Sequence, residues 1–476
     1  MVAFFVGKVL RIESILMVLP LIVSMLFRES AWIYIAVAAV LTFITGSLLS
    51  AVKPKNMSFY TREGIMSVAL GWILMSVFGA IPLWHCAPHV GFTDALFETI
   101  SGFTTTGASI LTEVESLPKG ILFWRSFTHW VGGMGILVFM LAVLPEASGE
   151  NIYLMRAESP GPSVGKLLPK VKSTAKILYI IYIAITLAEI IVLFLTGMSV
   201  YEASVISFGT VGTGGFAIRN SGCFGYNSIQ QYVITFFMLV CGANFNVYFL
   251  IVAKKFRQAF RSEEVLSYLA IYATAVICVA INIRNVFGSI GEVIRHSMFN
   301  VASVMTTTGF ATADFDKWPD FSRVMLLIVM FIGGCAGSTA GGIKVSRIII
   351  GSKTIRKELQ YLVHPRSVKI LKFEGKAIEH TVLRGINVYF LTYFLVFAVS
   401  ILLVALDGKD FATTVTSVIA TFNNIGPGLE MVGPCGNYSE FSAFAKYVLM
   451  FDMLAGRLEL FPMLLLFMPM TWRRQK

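Results

Sequence analysis

Four short segments of this chain share one pattern, an apolar residue, a three-residue spacer and a closing glycine: Phe103 to Gly107 (FTTTG), Phe208 to Gly212 (FGTVG), Met305 to Gly309 (MTTTG) and Phe422 to Gly426 (FNNIG). Each lies between long apolar stretches, and they recur roughly a hundred residues apart, too far for a solenoid period but fitting a module repeated four times. Backbone that is not helical survives at membrane depth only where it lines a cavity or is buried in protein. Four such interruptions in one chain point to a shared path for an ion.

Composition supports a membrane setting. With 56% hydrophobic residues, 14% charged and a mean hydropathy of +0.76, a soluble globule would expose far more apolar surface than it could bury. The net charge of +11 could suggest nucleic acid, but the basic residues fall in a few short connections, the pattern that orients membrane proteins. Apolar stretches occur at 9–27, 31–51, 64–84, 121–144, 174–196, 229–252, 265–283, 322–350, 384–405 and 444–470, about ten spans. The first lacks a small-residue cleavage site and reads as a retained span.

Between the third and fourth, fifth and sixth, seventh and eighth, and ninth and tenth stretches, a shorter run leads into one of the glycine segments. The expected fold is an all-α polytopic membrane protein. Two leading helices (1–60) precede four pseudo-fourfold repeats of helix, re-entrant helix with extended filter strand, and helix, at 61–150, 151–260, 261–360 and 361–476. Ser199-Val-Tyr-Glu202 and Ser289-Ile-Gly-Glu292 match the capping box of a helix start. Thr93 or Asp94, and Asp407 or Asp410, are candidate caps for the other two re-entrant helices. Such helices point their negative dipole ends inward, where a cation would sit.

Lys53, Lys55 and Arg62, then Arg156, Lys166, Lys170, Lys172 and Lys176, then Lys254, Lys255, Arg257 and Arg261 share one side if the spans alternate. The basic connection 351–383 and the tail Arg473, Arg474 and Lys476 join them. The positive-inside rule makes that side, and both termini, cytoplasmic. The glycine segments then face outside among acids, Glu113, Glu115, Asp314, Asp316, Asp320, Glu430 and Glu440, expected to concentrate cations modestly.

A dehydrated potassium ion needs several oxygen ligands, which rings of backbone carbonyls supply, and glycine permits the unusual backbone that aims them at one axis. The candidate ligands are Thr104, Thr105, Thr106 and Gly107; Gly209, Thr210, Val211 and Gly212; Thr306, Thr307, Thr308 and Gly309; and Asn423, Asn424, Ile425 and Gly426. The threonine hydroxyls are possible further ligands. The four walls differ, and each has a single closing glycine, so weaker discrimination is expected than from a TVGYG strand.

A second feature is GGCAGSTAGG at 333–342, inside an apolar run. Its five glycines, Gly333, Gly334, Gly337, Gly341 and Gly342, each cost a helix roughly 1 kcal/mol relative to alanine, so an interrupted span is expected just before Lys344. Gly337-x-x-x-Gly341 also fits close helix packing, but this stretch is small on every face. Arg457 lies deep in the last span, and offsets of five and two from Asp452 and Glu459 do not place either on its face. A pore-facing role as an electrostatic constriction follows. Arg125, His129 and Glu189 are weaker candidates that also fit interhelical polar contacts, and Trp130 to Gly135 (WVGGMG) fits a bend or close packing.

The six cysteines show no CxxC and no zinc-ligand spacing, although a bridge between Cys223 and Cys435 is conceivable. His85 and His89 are four apart, but Pro88 between them argues against the helix that would align them.

With these elements in place, the chain resembles the TrkH branch of the bacterial potassium transporter superfamily, which also holds KtrB and, more distantly, KdpA. The resemblance runs nearly end to end. It rests on SGFTTTGAS at 101–109, FWRSFTHWVGGMGILVF at 123–139, MRAESPGPSVGKLLPKVKSTAKILY at 155–179, MTTTGFATADF at 305–315, GGCAGSTAGGIKVSR at 333–347 and AGRLELFP at 455–462. It implies a potassium-conducting homodimer in the inner membrane, each subunit with its own pore, above a TrkA-like cytoplasmic nucleotide-binding ring. It also implies filter glycines at Gly107, Gly212, Gly309 and Gly426, a gating loop at 333–342 and Arg457 as the basic residue under the filter. The connections 351–383 and 146–173 are plausible docking surfaces. The chain shows no nucleotide motif of its own, and nothing reads as a nucleic-acid site. An alternative within transport is potassium uptake coupled to protons or sodium, although the repeats read as parallel rather than inverted. An intramembrane enzyme would need a nucleophile and base on facing spans, and no such set is evident.

Overall fold

The structure, a computed structural model, describes residues 1–51, 61–87, 90–135, 171–366 and 370–472. Val2–Leu16 and Val18–Leu26 form one apolar span, broken at Met17 because Pro20 cannot donate to the carbonyl a turn earlier. It crosses Trp32–Ala51 where Gly7 meets Gly46; a methyl on Gly7 would lie 2.6 Å from the Gly46 oxygen. Small residues at a crossing let two backbones approach, the usual means of helix association in lipid.

Each of the four units that follow opens with a long apolar helix, Arg62–Cys86, Ala175–Leu195, Glu263–Asn282 and His380–Ala405. A short helix comes next, Phe92–Phe103, Val200–Val211, Ile290–Met305 and Phe411–Phe422, and runs into a glycine segment. The units close into a ring, because each short helix packs on the second helix of the unit before it, and that of the first unit packs on the second helix of the fourth.

The hydropathy reading of about ten spans, one of them interrupted, is not matched by ten long apolar helices. Among the described residues six helices are long and apolar enough to cross a membrane, or seven if one bent pair counts as a span. The shortfall falls on the second helix of every unit. Lys119–Gly133 stops at Gly132 and Gly133, and Ser228–Gly242 turns by 91° into Phe245–Val252, which Asn244 caps. Asp320–Ile332 and Val345–Val363 flank the glycine-rich loop, and Ala443–Arg457 ends before Phe461–Leu466, with Glu459 and Leu460 at φ of 57° and 72°. The loop at 333–342 is therefore an interruption, as expected, and the close-packed helix reading falls. Beyond the span expected to be interrupted, the second helices of units two and four are broken as well, and that of unit one ends at Gly133, within the segment WVGGMG for which a bend was one of two readings.

Ser199, Ser289 and Asp410 cap their helices by accepting the amides of Glu202, Glu292 and Thr413. Neither Thr93 nor Asp94 caps the first short helix, whose N-cap is Gly91; the Asp94 carboxylate is held at 2.6 Å by Lys446 of the fourth unit. Cys223 and Cys435 are unpaired, one buried and the other exposed.

Candidate functional site

The four short helices end alike. Their last residue is followed by Thr104, Gly212, Thr306 and Asn423, and then by left-handed Thr105, Thr213, Thr307 and Asn424 at φ of 56°, 55°, 54° and 56°. The next amide in each, of Thr106, Gly214, Thr308 and Ile425, donates to a carbonyl five residues back, at 2.9, 2.8, 2.8 and 2.8 Å. This is a left-handed helix stop. Gly107, Gly215, Gly309 and Gly426 follow at φ of 78°, 79°, 84° and 94°. Threonine at positive φ is strained, and such strain persists only where the surroundings enforce it.

The closing glycines interlock. A methyl on Gly107 would overlap the Gly214 carbonyl, one on Gly215 the Thr308 carbonyl, one on Gly309 the Ile425 carbonyl and one on Gly426 the Thr106 carbonyl. The contacts run from segment one to two, three, four and back to one, around a single axis. One cavity of about 180 Å³ touches all four closing glycines.

The second segment departs from the sequence reading. Gly209, Thr210 and Val211 belong to the last turn of their helix, and Gly212 takes the place of Thr104 rather than of Gly107. The segment is Gly212 to Gly215, three residues later than FGTVG suggests. His129 is the cause. Its backbone and ring fill the space that side chains at Gly212 and Gly214 would need, while its Nδ1 bonds the Gly102 carbonyl at 2.7 Å and its Nε2 accepts the Phe216 amide at 3.3 Å. The glycines of GTGG make room for that imidazole.

Below the ring lies the glycine-rich loop. It is cinched at its neck, where Gly333 and Gly342 touch and the amides of Ile343, Lys344 and Val345 donate to Phe331, Ile332 and Gly334. The Gly341 amide donates to the Thr307 hydroxyl at 2.6 Å and the Gly342 amide to the Asn423 carbonyl at 3.1 Å, so the loop abuts segments three and four. Its far side bonds the bend of unit two, Cys335 N to Gly242 O at 2.9 Å and Phe245 N to Gly337 O at 3.0 Å. Arg457 completes the closure by donating to Thr339 O at 2.7 Å and to Gly132 O and Gly133 O at 2.5 and 2.7 Å. The end of the second helix of unit one and the breaks of the other three thus line one cavity of about 80 Å³ on the other side of the ring, with Lys344 and Arg457 on its wall.

The match to known proteins follows this architecture. The TrkH family, described as cation transport protein, matches residues 30–474. The chain belongs to the TrkH family. It is 37% identical over 476 residues to the Trk system potassium uptake protein TrkH of Escherichia coli K12, covering 98% of each, and 33% identical to TrkG of the same organism, covering 98% of this chain and 97% of that one. Its structure superposes on the crystal structure of the potassium transporter TrkH from Vibrio parahaemolyticus with a TM-score of 0.89, at 32% identity and 99% coverage of both chains. As a TrkH-family member it is an all-helical, multi-pass membrane protein and a transport protein rather than an enzyme.

Within this TrkH frame several expected groups have other work. The Thr104 and Thr306 hydroxyls donate to their own helices at 2.7 and 2.8 Å and pair with those of Thr106 and Thr308 at 2.8 Å. Thr105 Oγ1 and Asn424 Oδ1 are buried without a hydrogen-bond partner among the described residues, while Asn424 Nδ2 reaches Thr106 Oγ1 and the Met453 carbonyl at 3.0 and 2.8 Å. Lys344, 2% exposed, turns back onto the Ala340 carbonyl. The outer acids are largely engaged, Glu113 and Glu115 by Asn220, Asp316 and Glu430 by Arg323, Asp314 by Lys317 and Glu440 by Lys409. They tie the outer loops together, which weakens the expected field on passing cations. The docking connection 146–173 lies mostly outside the described residues.

Residues that motif reading missed include Gly215, Tyr438, Glu98 and Glu264. Only Gly215 left a trace, in the doubled glycine of GTGG. Glu264, at the start of the first helix of unit three, accepts the Ala336 amide of the loop at 2.6 Å and Asn244 Nδ2 at 3.1 Å. Its own amide donates to Glu374 at 3.1 Å, as does the Ser262 hydroxyl at 2.8 Å, and Glu374 sits at the tip of the hairpin Lys372–Ala377. Polar contacts therefore join that hairpin to the intramembrane loop. Arg347 and Glu459 pair at 2.6 Å, with the guanidinium 4.0 Å from the Tyr389 ring centre, and join the helix after the loop to the break in unit four.

Proposed function

We propose that this chain takes up potassium across the bacterial inner membrane through a pore whose filter is the ring of four segments. The observation that carries this is the closed contact of Gly107, Gly215, Gly309 and Gly426 around one axis. Backbone carbonyls before and at those glycines replace the hydration shell of the ion. Membership of a family whose curated relatives are named potassium uptake proteins supports the ion.

The loop at 333–342 closes the inner end. Gly341 and Gly342 press on segments three and four, and Arg457 staples Thr339 to unit one. A positive charge beneath a cation filter limits how many ions dwell there. A TrkA-like cytoplasmic nucleotide-binding ring regulates a homodimer of such chains, with the basic connection 351–383 as docking surface. The hairpin contacts of Glu374 give it a route to the loop.

The decisive experiment is a reversal-potential measurement on purified protein in a planar bilayer. A Nernstian response to the potassium gradient is expected. A reversal potential that follows a proton or sodium gradient in fixed ratio would replace conduction by coupled symport.

The register of segment two has its own test. Gly215→Ala is expected to reduce potassium over sodium discrimination about as much as Gly107→Ala, by roughly tenfold for ~1.4 kcal/mol of strain at positive φ. Thr210→Ala, in the helix, leaves the ratio unchanged. Equal effects at Gly215 and Thr210 in bi-ionic potentials would return the filter to the earlier register.

A further inference from the structure

The four closing glycines are alike in backbone but not in what holds their oxygens. The Tyr438 hydroxyl donates to the Gly426 carbonyl at 2.7 Å, whereas none of the described residues donates a hydrogen bond to the carbonyls of Gly107, Gly215 or Gly309. Tyr438 is 2% exposed, its ring packed on Phe97 and Phe441 with centroids 5.5 and 5.8 Å away. Its amide donates to the Ser109 carbonyl at 2.8 Å, two residues past Gly107.

From Ser109 the contacts continue around the ring. The Ser109 hydroxyl donates to Glu98 at 3.0 Å, Glu98 also accepts the Ile110 amide at 2.9 Å and pairs with Arg125 at 2.5 Å. Arg125 donates to the Ala217 carbonyl at 3.0 Å and lies 3.5 Å from the centre of the Phe216 ring. A buried polar belt thus runs from segment four behind segment one to segment two. Segment three has a separate support, with Thr312 bonded to His296 and Asn300 of its own helix at 3.0 and 3.3 Å.

We propose that Tyr438 is a specificity-determining positioning residue, which sets the preference for the larger alkali cation through its hydrogen bond to the Gly426 carbonyl. This rests on the reading of the ring as a potassium filter. Two effects of the bond have the same sign. A carbonyl that already accepts a hydrogen bond presents a weaker field to an ion, and weak-field oxygens cannot repay the larger dehydration cost of a small cation. A segment pinned by that bond also resists closing inward around that cation. Both disfavour sodium.

The test compares wild type, Tyr438→Phe and Ser109→Ala, purified and reconstituted in planar bilayers, with potassium and sodium chloride as the only probes. The readout is the bi-ionic permeability ratio, which does not depend on how much of the protein is active. Tyr438→Phe keeps the ring and its packing, so a merely structural tyrosine would leave the ratio at the wild-type value. The expected result is a shift toward sodium of about fivefold, the factor that one neutral hydrogen bond of ~1 kcal/mol supplies. Ser109→Ala, one link along the belt, shifts it the same way by less. An unchanged ratio in Tyr438→Phe, or a shift toward potassium, overturns the proposal while leaving the filter reading intact. A wild type that does not distinguish the two ions removes both.

Discussion

Serine at Gly309, or aspartate at Gly426, is expected to loosen discrimination between potassium and sodium by about tenfold or more, read as a bi-ionic reversal potential. Both glycines are left-handed, at φ of 84° and 94°, where a Cβ costs roughly 1–2 kcal/mol. The larger effect is spatial. A Cβ at position 309 would overlap the Ile425 carbonyl and lie 3.1 Å from the Pro427 ring, and one at position 426 would lie 2.6 Å from the Thr106 carbonyl and 3.0 Å from that of Gly107. Those carbonyls belong to the neighbouring segment, so relief of the overlap must displace the proposed ligands. With every ~1.4 kcal/mol worth a factor of ten, modest displacement is enough. Aspartate adds a strong-field anion that favours the smaller cation. Relative permeability unchanged in both variants would count against the ring as the filter.

Shortening the loop between Gly333 and Gly342 is expected to raise basal flux in the absence of any cytoplasmic partner. The loop is held shut by named contacts, Gly341 to Thr307, Gly342 to Asn423, Cys335 to Gly242 and Thr339 to Arg457. A shorter chain cannot make them all. Glu264→Gln should act in the same direction, because the charge-assisted bond from the Ala336 amide becomes a neutral one. Hydrogen bonds to charged groups are worth ~1.5–3 kcal/mol against ~1 for neutral ones, so an increase of up to about tenfold is expected. Rubidium uptake into potassium-loaded liposomes measures it. Flux at the wild-type level in the shortened chain would remove the loop from the gating mechanism.

The segments differ in how they could be read from the sequence. In units one and three, TTTG reads directly onto the structure, because the left-handed stop falls on the middle threonine and the glycine follows two residues later. In unit four, NNIG does the same with Asn424, a residue type that tolerates positive φ. In unit two the segment read from the sequence, GTVG, is helical, and the left-handed stop falls in the GTGG that follows it. The difference lies in His129, roughly eighty residues away on another unit, whose imidazole leaves no room at Gly212 and Gly214. The same limit explains the second helices. Hydropathy sees an apolar run through Ala243 and Asn244 or through Arg457 and Leu460, and it is silent on a bend that relies on partners from other units. The glycine-rich loop escaped that limit only because five glycines in ten residues oppose a helix locally.

Local energetics alone decided much of this molecule. The cost of placing peptide groups in lipid demands long apolar helices, hydroxyl and carboxylate caps mark where three of the four short helices start, and glycine closes each segment at positive φ. These preferences need only near neighbours, so they are written in consecutive residues. Packing between distant units decided the rest: which glycine closes segment two, where the second helices of units two and four break, and that Arg457 bonds the carbonyls of two other units. Each of those outcomes is a short-range force between atoms that the chain brings together only after the four units have closed on one another. No window of sequence contains both partners.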